Sequence, residues 1–318
     1  MRRLTACTLL LLVAAFAAAT LSRTATAQEL DYSISPARTE REVEPGEHFE
    51  GYINIVNSTE RQIEVNVSVT DFIVGPDGGF LYPEPGHDSF SAALWITPES
   101  DSVVVPARAE YDFGYQVDVP QNVENGGHYA MLFFEVITTD DEGTELNTRL
   151  GSQLLFVVPG DIERRLVINR LELPRVAFGA GETAVVEIRN VGNVHTIPAG
   201  YLQYWGGLPR RERVEDLEPA TLLPTREFIY EVPLRDLPWL GRVNALAHME
   251  YGPRFGVFDQ EVSARTSLLV ISWKLILILD LILIGFDVVL YREWRKRRRS
   301  QAVTRTERSP DALPGDAA

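Results

Sequence analysis

The chain runs to 318 residues, with 45 acidic side chains against 30 basic ones and a formal net charge of −15 at pH 7. A field of that sign disfavours nucleic acid and other polyanions and attracts cations or basic surfaces. Cys7 is the only cysteine, which excludes an internal disulfide, and excludes a thiol nucleophile or thiolate metal site beyond the first few residues.

Residues 1–27 read as a secretory signal. Arg2 and Arg3 precede an apolar run over 9–19, and Ala25-Thr26-Ala27 supplies a small-x-small cleavage pattern before Gln28. Leu4-Thr5-Ala6-Cys7 has the outline of a lipoprotein box but lacks the apolar run that must precede one. Two units follow, over 28–160 and 161–266, each of a size that buries its own core. The first holds 24 acids and 5 arginines, a net of −19; residues 161–271 hold 15 acids and 13 arginines, a net of −2.

Both units carry β patterning. In the first, Ile53 and Ile55, then Ile63, Val65, Val67 and Val69, alternate with polar residues as half-buried strands do. Asn57-Ser58-Thr59-Glu60 between them reads as a hairpin connection. Further strands are predicted over 102–106, 111–119, 128–138 and 149–158, punctuated by Gly- and Pro-containing turns. A second cycle begins after Pro159-Gly160-Asp161, with strands over 166–173, 183–190, 200–205, 228–232 and 242–251. Each cycle repeats one grammar: a strand, a Gly turn closing on Glu, then a strand ending in Asn (YINIVN, VVEIRN). The fold class implied is all-β, two tandem immunoglobulin-like sandwiches.

No catalytic motif stands out. His48, His87, His128, His195 and His248 are spread singly, and HExxH, GxSxG and phosphate-cradling glycine loops are missing. His195, after Val191-Gly192-Asn193, reads as a residue that caps or braces a turn. Thr139-Asp140-Asp141-Glu142-Gly143 gathers oxygen ligands without the spaced Asp-x-Asp of a calcium loop, and reads as a solvated hairpin tip. The chain is therefore expected to be non-enzymatic, with no cofactor and no metal. The candidate ligand loop is the long connection 75–93, whose aromatic group is Phe80, Tyr82, Phe90 and, just beyond it, Trp95. Such rings suit stacking on a sugar or packing on a peptide, or they fold back and are buried by the sandwich itself.

Residues 267–291 are expected to form a single transmembrane helix. The apolar run 273–291 with Trp294 beyond it spans roughly 31 Å as a helix, close to a bilayer core of about 30 Å. The arginine-rich segment that follows sets the orientation, leaving 292–318 as a basic, disordered cytoplasmic tail and the sandwiches outside. Asp280 and Asp287, seven apart on one helix face, are the candidate intramembrane face for a partner transmembrane helix.

The segments YSISPARTEREVEPGE, GYINIVNST and GGHYAMLFFEV of the first unit resemble the extracytoplasmic domain of WxL-interacting surface proteins of Gram-positive bacteria. In the other unit, IRNVGNVHTIPAG, LLPTREFIYEVPL and PWLGRVNA are similar to the additional immunoglobulin-like domain of related membrane proteins. The resemblance implies a membrane-anchored, non-catalytic cell-surface protein that binds peptidoglycan or another cell-surface protein. The form of the first unit also resembles pilus-chaperone sandwiches that donate a strand, which implies an alternative: a chaperone or assembly factor for exported subunits.

Overall fold

The computed structural model describes residues 32–139, 145–179, 181–252 and 256–306. The signal segment 1–27, the acidic tip at 140–143 and residues 307–318 lie outside them.

The first sandwich contains β1 (Tyr32–Ser35), β2 (Arg38–Glu42), β3 (His48–Asn57), β4 (Ile63–Thr70), β5 (Ile73–Val74) and β6 (Phe80–Leu81). It continues with β7 (Ile96–Pro98), β8 (Ser102–Val105), β9 (Glu110–Asp118), β10 (Gly126–Thr139) and β11 (Glu145–Val158). One sheet runs β1-β3-β9-β7 and the other β2-β11-β10-β4-β8, with β5 and β6 paired separately. Strict alternation along β4, buried at Ile63, Val65 and Val67, sends one face inward against Ile53 and Ile55 of β3. Phe113 meets Phe134 edge-to-face at 5.5 Å across the two sheets.

The second sandwich repeats the plan with β12 (Leu166–Glu172), β13 (Val176–Ala177), β14 (Thr183–Asn190), β15 (Ala199–Leu208) and β16 (Arg211–Leu217). β17 (Glu227–Pro233), β18 (Leu240–Tyr251) and β19 (Gln260–Ile271) complete it. Its sheets run β12-β14-β17 and β13-β19-β18-β15-β16, around Ile188, Leu202, Met249 and Val270. In each sandwich the last strand pairs parallel with the second: β11 with β2 and β19 with β13.

The expected hairpin at 57–60 is corrected. β3 and β4 lie in different sheets, so this segment crosses the sandwich, and Asn57 holds the crossing. Its buried amide donates to the carbonyls of Arg61, Val105 and Pro106 at 2.9, 3.1 and 2.8 Å, while its oxygen accepts from the Thr59 N–H at 2.9 Å. Asn190 does the same work in the second sandwich. Its amide donates to the carbonyls of Val194 and Leu222, at 2.8 and 3.0 Å, and its oxygen accepts from the Gly192 N–H at 2.9 Å. The Asn that closes each strand in the repeated grammar is thus a buried clamp between that strand's end and the chain leading into the neighbouring strand of the same sheet, β9 or β17.

The C-terminal expectation changes more. Ser267–Ile271 belongs to β19, and α1 (Trp273–Thr306) begins only after it. The helix continues through the arginine-rich segment predicted to be a disordered tail, because Arg, Glu, Lys, Gln and Ala favour helix and no Gly or Pro interrupts that segment. Among the described residues no helix is long and apolar enough to cross a membrane, which overturns the transmembrane, single-pass reading. The physical reason lies in Lys274, Asp280 and Asp287, three charges within the apolar run of α1.

The paired asparagines give a stability test. Asn57→Ala or Asn190→Ala leaves buried carbonyls and an N–H without partners, each costing about 1–3 kcal/mol. Each substitution is expected to lower the unfolding free energy by at least about 2 kcal/mol, as read from urea midpoints. A change within experimental error at either position removes the clamp from the account.

Candidate functional site

β10 is apolar on both faces. Ala130, Leu132 and Phe134 enter the first core, while Tyr129, Met131 and Phe133 point outward and are also buried. The outward set is covered by the connection 71–95, through Phe72, Val74 and Phe90, and by Leu223 of the second sandwich. Asp71 holds that connection in place. Its buried carboxylate accepts from the N–H groups of Gly86, His87 and Ala93, at 2.8, 3.1 and 3.3 Å, and from the Ser91 hydroxyl at 2.6 Å.

The four predicted loop aromatics separate. Trp95 lies in the first core, 6.2 Å from Phe156 and 4.6 Å from the His128 ring, so it takes no part in a surface site. Phe90 packs at the seam between the sandwiches. Phe80 and Tyr82 stay on the surface, 42% and 44% exposed. They stack at 6.4 Å; Phe80 is 5.9 Å from Phe72 and Tyr82 meets Phe133 edge-on at 4.8 Å. The Arg149 guanidinium sits 3.6 Å above the Phe133 ring and 5.9 Å from Tyr82. Gly151 beside them leaves the room this needs, since a Cβ there would stand 2.7 Å from Met131 Sδ.

This aromatic row borders an incomplete strand edge. β10 pairs with β11 along its whole length, but β2 covers the other side of β11 only from Gln153 to Val157. Among the described residues no strand pairs with that side from 145 to 152, although β1 passes close by, with Tyr32 Oη 3.0 Å from the Thr148 carbonyl oxygen and the Ser152 hydroxyl donating to the Pro36 carbonyl at 2.7 Å. Phe133 and Arg149 were missed by motif reading. The signal was present, because the unbroken apolar run YAMLFFEV marks a strand buried on both faces.

A polar joint fixes the second sandwich against the same strand. Tyr129 Oη accepts from the His195 backbone N–H at 2.7 Å and lies 3.2 Å from His195 Nδ1. The phenol proton is therefore available to Nδ1, and Nε2–H faces Glu40 Oε1 at 3.2 Å. Arg38 donates to Thr221 Oγ1 at 3.1 Å, Arg226 pairs with Asp88 at 3.0 Å, and the Gly127 N–H donates to the Asn193 carbonyl at 2.8 Å. His195 thus braces two domains rather than one turn. Burial pushes the Tyr129 phenol well above its ordinary value. The His195 hydrogen bond holds the Glu40 carboxyl below its ordinary one.

Asp280 and Asp287 lie exposed on α1 and make no hydrogen bond or ion pair with a described residue. With the membrane span corrected, they mark an exposed helix face instead of an intramembrane one. No set of three or more metal-ligating side chains converges among the described residues.

No protein-family profile matches the chain, and no curated protein matches it. Some solved structures are loosely similar to it. The YadV chaperone has 11% identity and a TM-score of 0.43, the match covering 74% of this chain and 100% of that one. The CfaA chaperone of class 5 fimbriae has 11% identity and a TM-score of 0.40, over 74% and 98%. The CsuC–CsuE chaperone–tip subunit complex of Csu pili from Acinetobacter baumannii gives 10% and 0.40, over 76% and 98%.

Glu40 supplies a pH test. Because its folded-state value is depressed, its contribution is complete above the ordinary value of 4.5 and is lost as pH falls through the lowered one. The melting temperature of the wild type is expected to drop more steeply below pH 4.5 than that of Glu40→Gln. Parallel curves would show that the Glu40–His195 contact adds nothing to folding.

Proposed function

We propose that this protein captures an extended segment of a partner protein along the open side of β11, the work of an assembly factor for exported or surface subunits. The observation that carries this is the unpaired edge at 145–152 lying beside the half-exposed Phe80–Tyr82 row. An extended segment laid there satisfies the free backbone groups of the edge by strand addition. Alternate side chains of that segment face the outer side of the sheet, where Tyr82, Phe133 and Arg149 gather. Large aromatic rings at such places contribute most of the binding energy. A sugar ligand has no use for an open strand edge, so this feature favours a polypeptide over peptidoglycan.

The resemblance to WxL-interacting surface proteins belongs to the same proposal. The segments that carry it, 32–47, 51–59 and 126–136, build β1, β2, β3 and β10, of which β2 and β10 flank β11. A place of work outside the cytoplasm rests on the leader pattern of residues 1–27.

Binding is tested with a panel of extended peptides carrying alternating apolar residues, read by amide hydrogen exchange. A binding peptide is expected to slow exchange over 145–152. Phe80→Ala combined with Tyr82→Ala is expected to weaken that peptide by at least about tenfold. If the peptides that bind protect other strands and leave 145–152 unchanged, the edge is not the site.

A further inference from the structure

We propose a second site, for a phosphate-bearing anion, in the cleft at the base of the second sandwich where α1 begins. The cleft has a volume of about 620 Å³ and is lined by Arg211, Arg235 and Lys274 together with Trp239 and Trp273. Four segments distant in sequence are tied together around it. The Trp239 N–H donates to the Leu208 carbonyl at 2.9 Å, the Ser272 N–H to the Trp239 carbonyl at 2.7 Å, and the Trp273 N–H to the Phe178 carbonyl at 3.0 Å. The cleft is thus part of the fold, and its walls do not depend on a single loop.

Its charge runs against that of the protein. The chain as a whole carries −15, yet three cations line this one cleft, and among the described residues none of their side chains makes an ion pair. Of the two acids of the lining, Asp236 is paired with Arg213, and Glu182, which accepts from the Phe178 N–H at 3.4 Å, keeps its charge, so the three cations still exceed the unpaired acid by two. Unpaired cations brought together repel one another, a cost relieved by an anion placed between them. A phosphate group carries up to two charges and three acceptor oxygens, which suits three separate donors; a carboxylate carries one charge and two oxygens. Arginine forks match phosphate geometry, and lysine adds a point charge.

The walls narrow the ligand further. Trp239 and Trp273 are 50% and 53% exposed, and Phe178 and Leu208 beside them are 52% and 68% exposed. Half-exposed indoles next to cations suit a ligand whose phosphate is joined to a less polar group. A phosphorylated small molecule and a lipid headgroup share that chemistry. The site is separate from the strand edge of the first sandwich, so neither proposal depends on the other.

The test uses the full chain at low ionic strength. In one arm tryptophan fluorescence follows a titration with inorganic phosphate. In a second, flotation is measured with vesicles of phosphatidylglycerol and phosphatidylcholine, with pure phosphatidylcholine vesicles as control. The variant Arg211→Gln/Arg235→Gln changes exposed side chains and is checked for an unaltered melting temperature. A saturable phosphate response at least about tenfold weaker in the variant, and weakened by added salt, supports the site. Flotation that needs phosphatidylglycerol and both arginines, with or without a phosphate response, supports it and assigns the lipid source. No response in either arm, or responses equal in wild type and variant, overturns it.

Discussion

β10 buries side chains on both of its faces, and a strand so placed needs a cover on each. The inner cover is the β1-β3-β9-β7 sheet, which receives Leu132 and Phe134. The outer cover is assembled from the connection 71–95 and from the second sandwich, which receive Tyr129, Met131 and Phe133. Each such side chain contributes about 1.5–3 kcal/mol when fully withdrawn from water. The outer set therefore binds the long connection and the neighbouring domain to one strand by the same physical means as a core. The candidate site follows from this, because the connection that covers Phe133 leaves Phe80 and Tyr82 at its margin.

The polar groups at the joint serve a different end. Tyr129, His195 and Glu40 form a directional chain whose geometry is satisfied in one arrangement of the two sandwiches. Apolar burial alone tolerates sliding; a buried hydrogen-bonded chain does not, since a shifted register leaves polar atoms unpaired. Asp71 plays the corresponding part for the connection, fixing four donors that its sequence alone would leave free. The open side of β11 lies on the same strand pair, β10 and β11, that this joint engages through Tyr129.

The C-terminal segment shows how a local pattern can mislead. Its apolar side chains predict burial in a bilayer, and its charges at Lys274, Asp280 and Asp287 weigh against it. Its first residues belong to the fold in another way. Trp273 is tied to Phe178, and Ser272 to Trp239, so the start of α1 completes the wall of a cationic cleft.

The sequence by itself determined the β class, the two cycles and the contrast in charge between them, because alternation and turn chemistry are local properties of the chain. It also marked Asn57 and Asn190 as equivalent. Only the tertiary structure decided that the chain crosses between sheets at Asn57, that Trp95 goes inside while Phe80 and Tyr82 stay out, and that His195 reaches Tyr129. The open side of β11 was likewise invisible, since β11 has the same composition whether or not a neighbour lies beside it. The reason is physical. A side chain's alternation fixes which face it shares with its neighbours, but the partner across that face is chosen by packing between residues far apart in the chain.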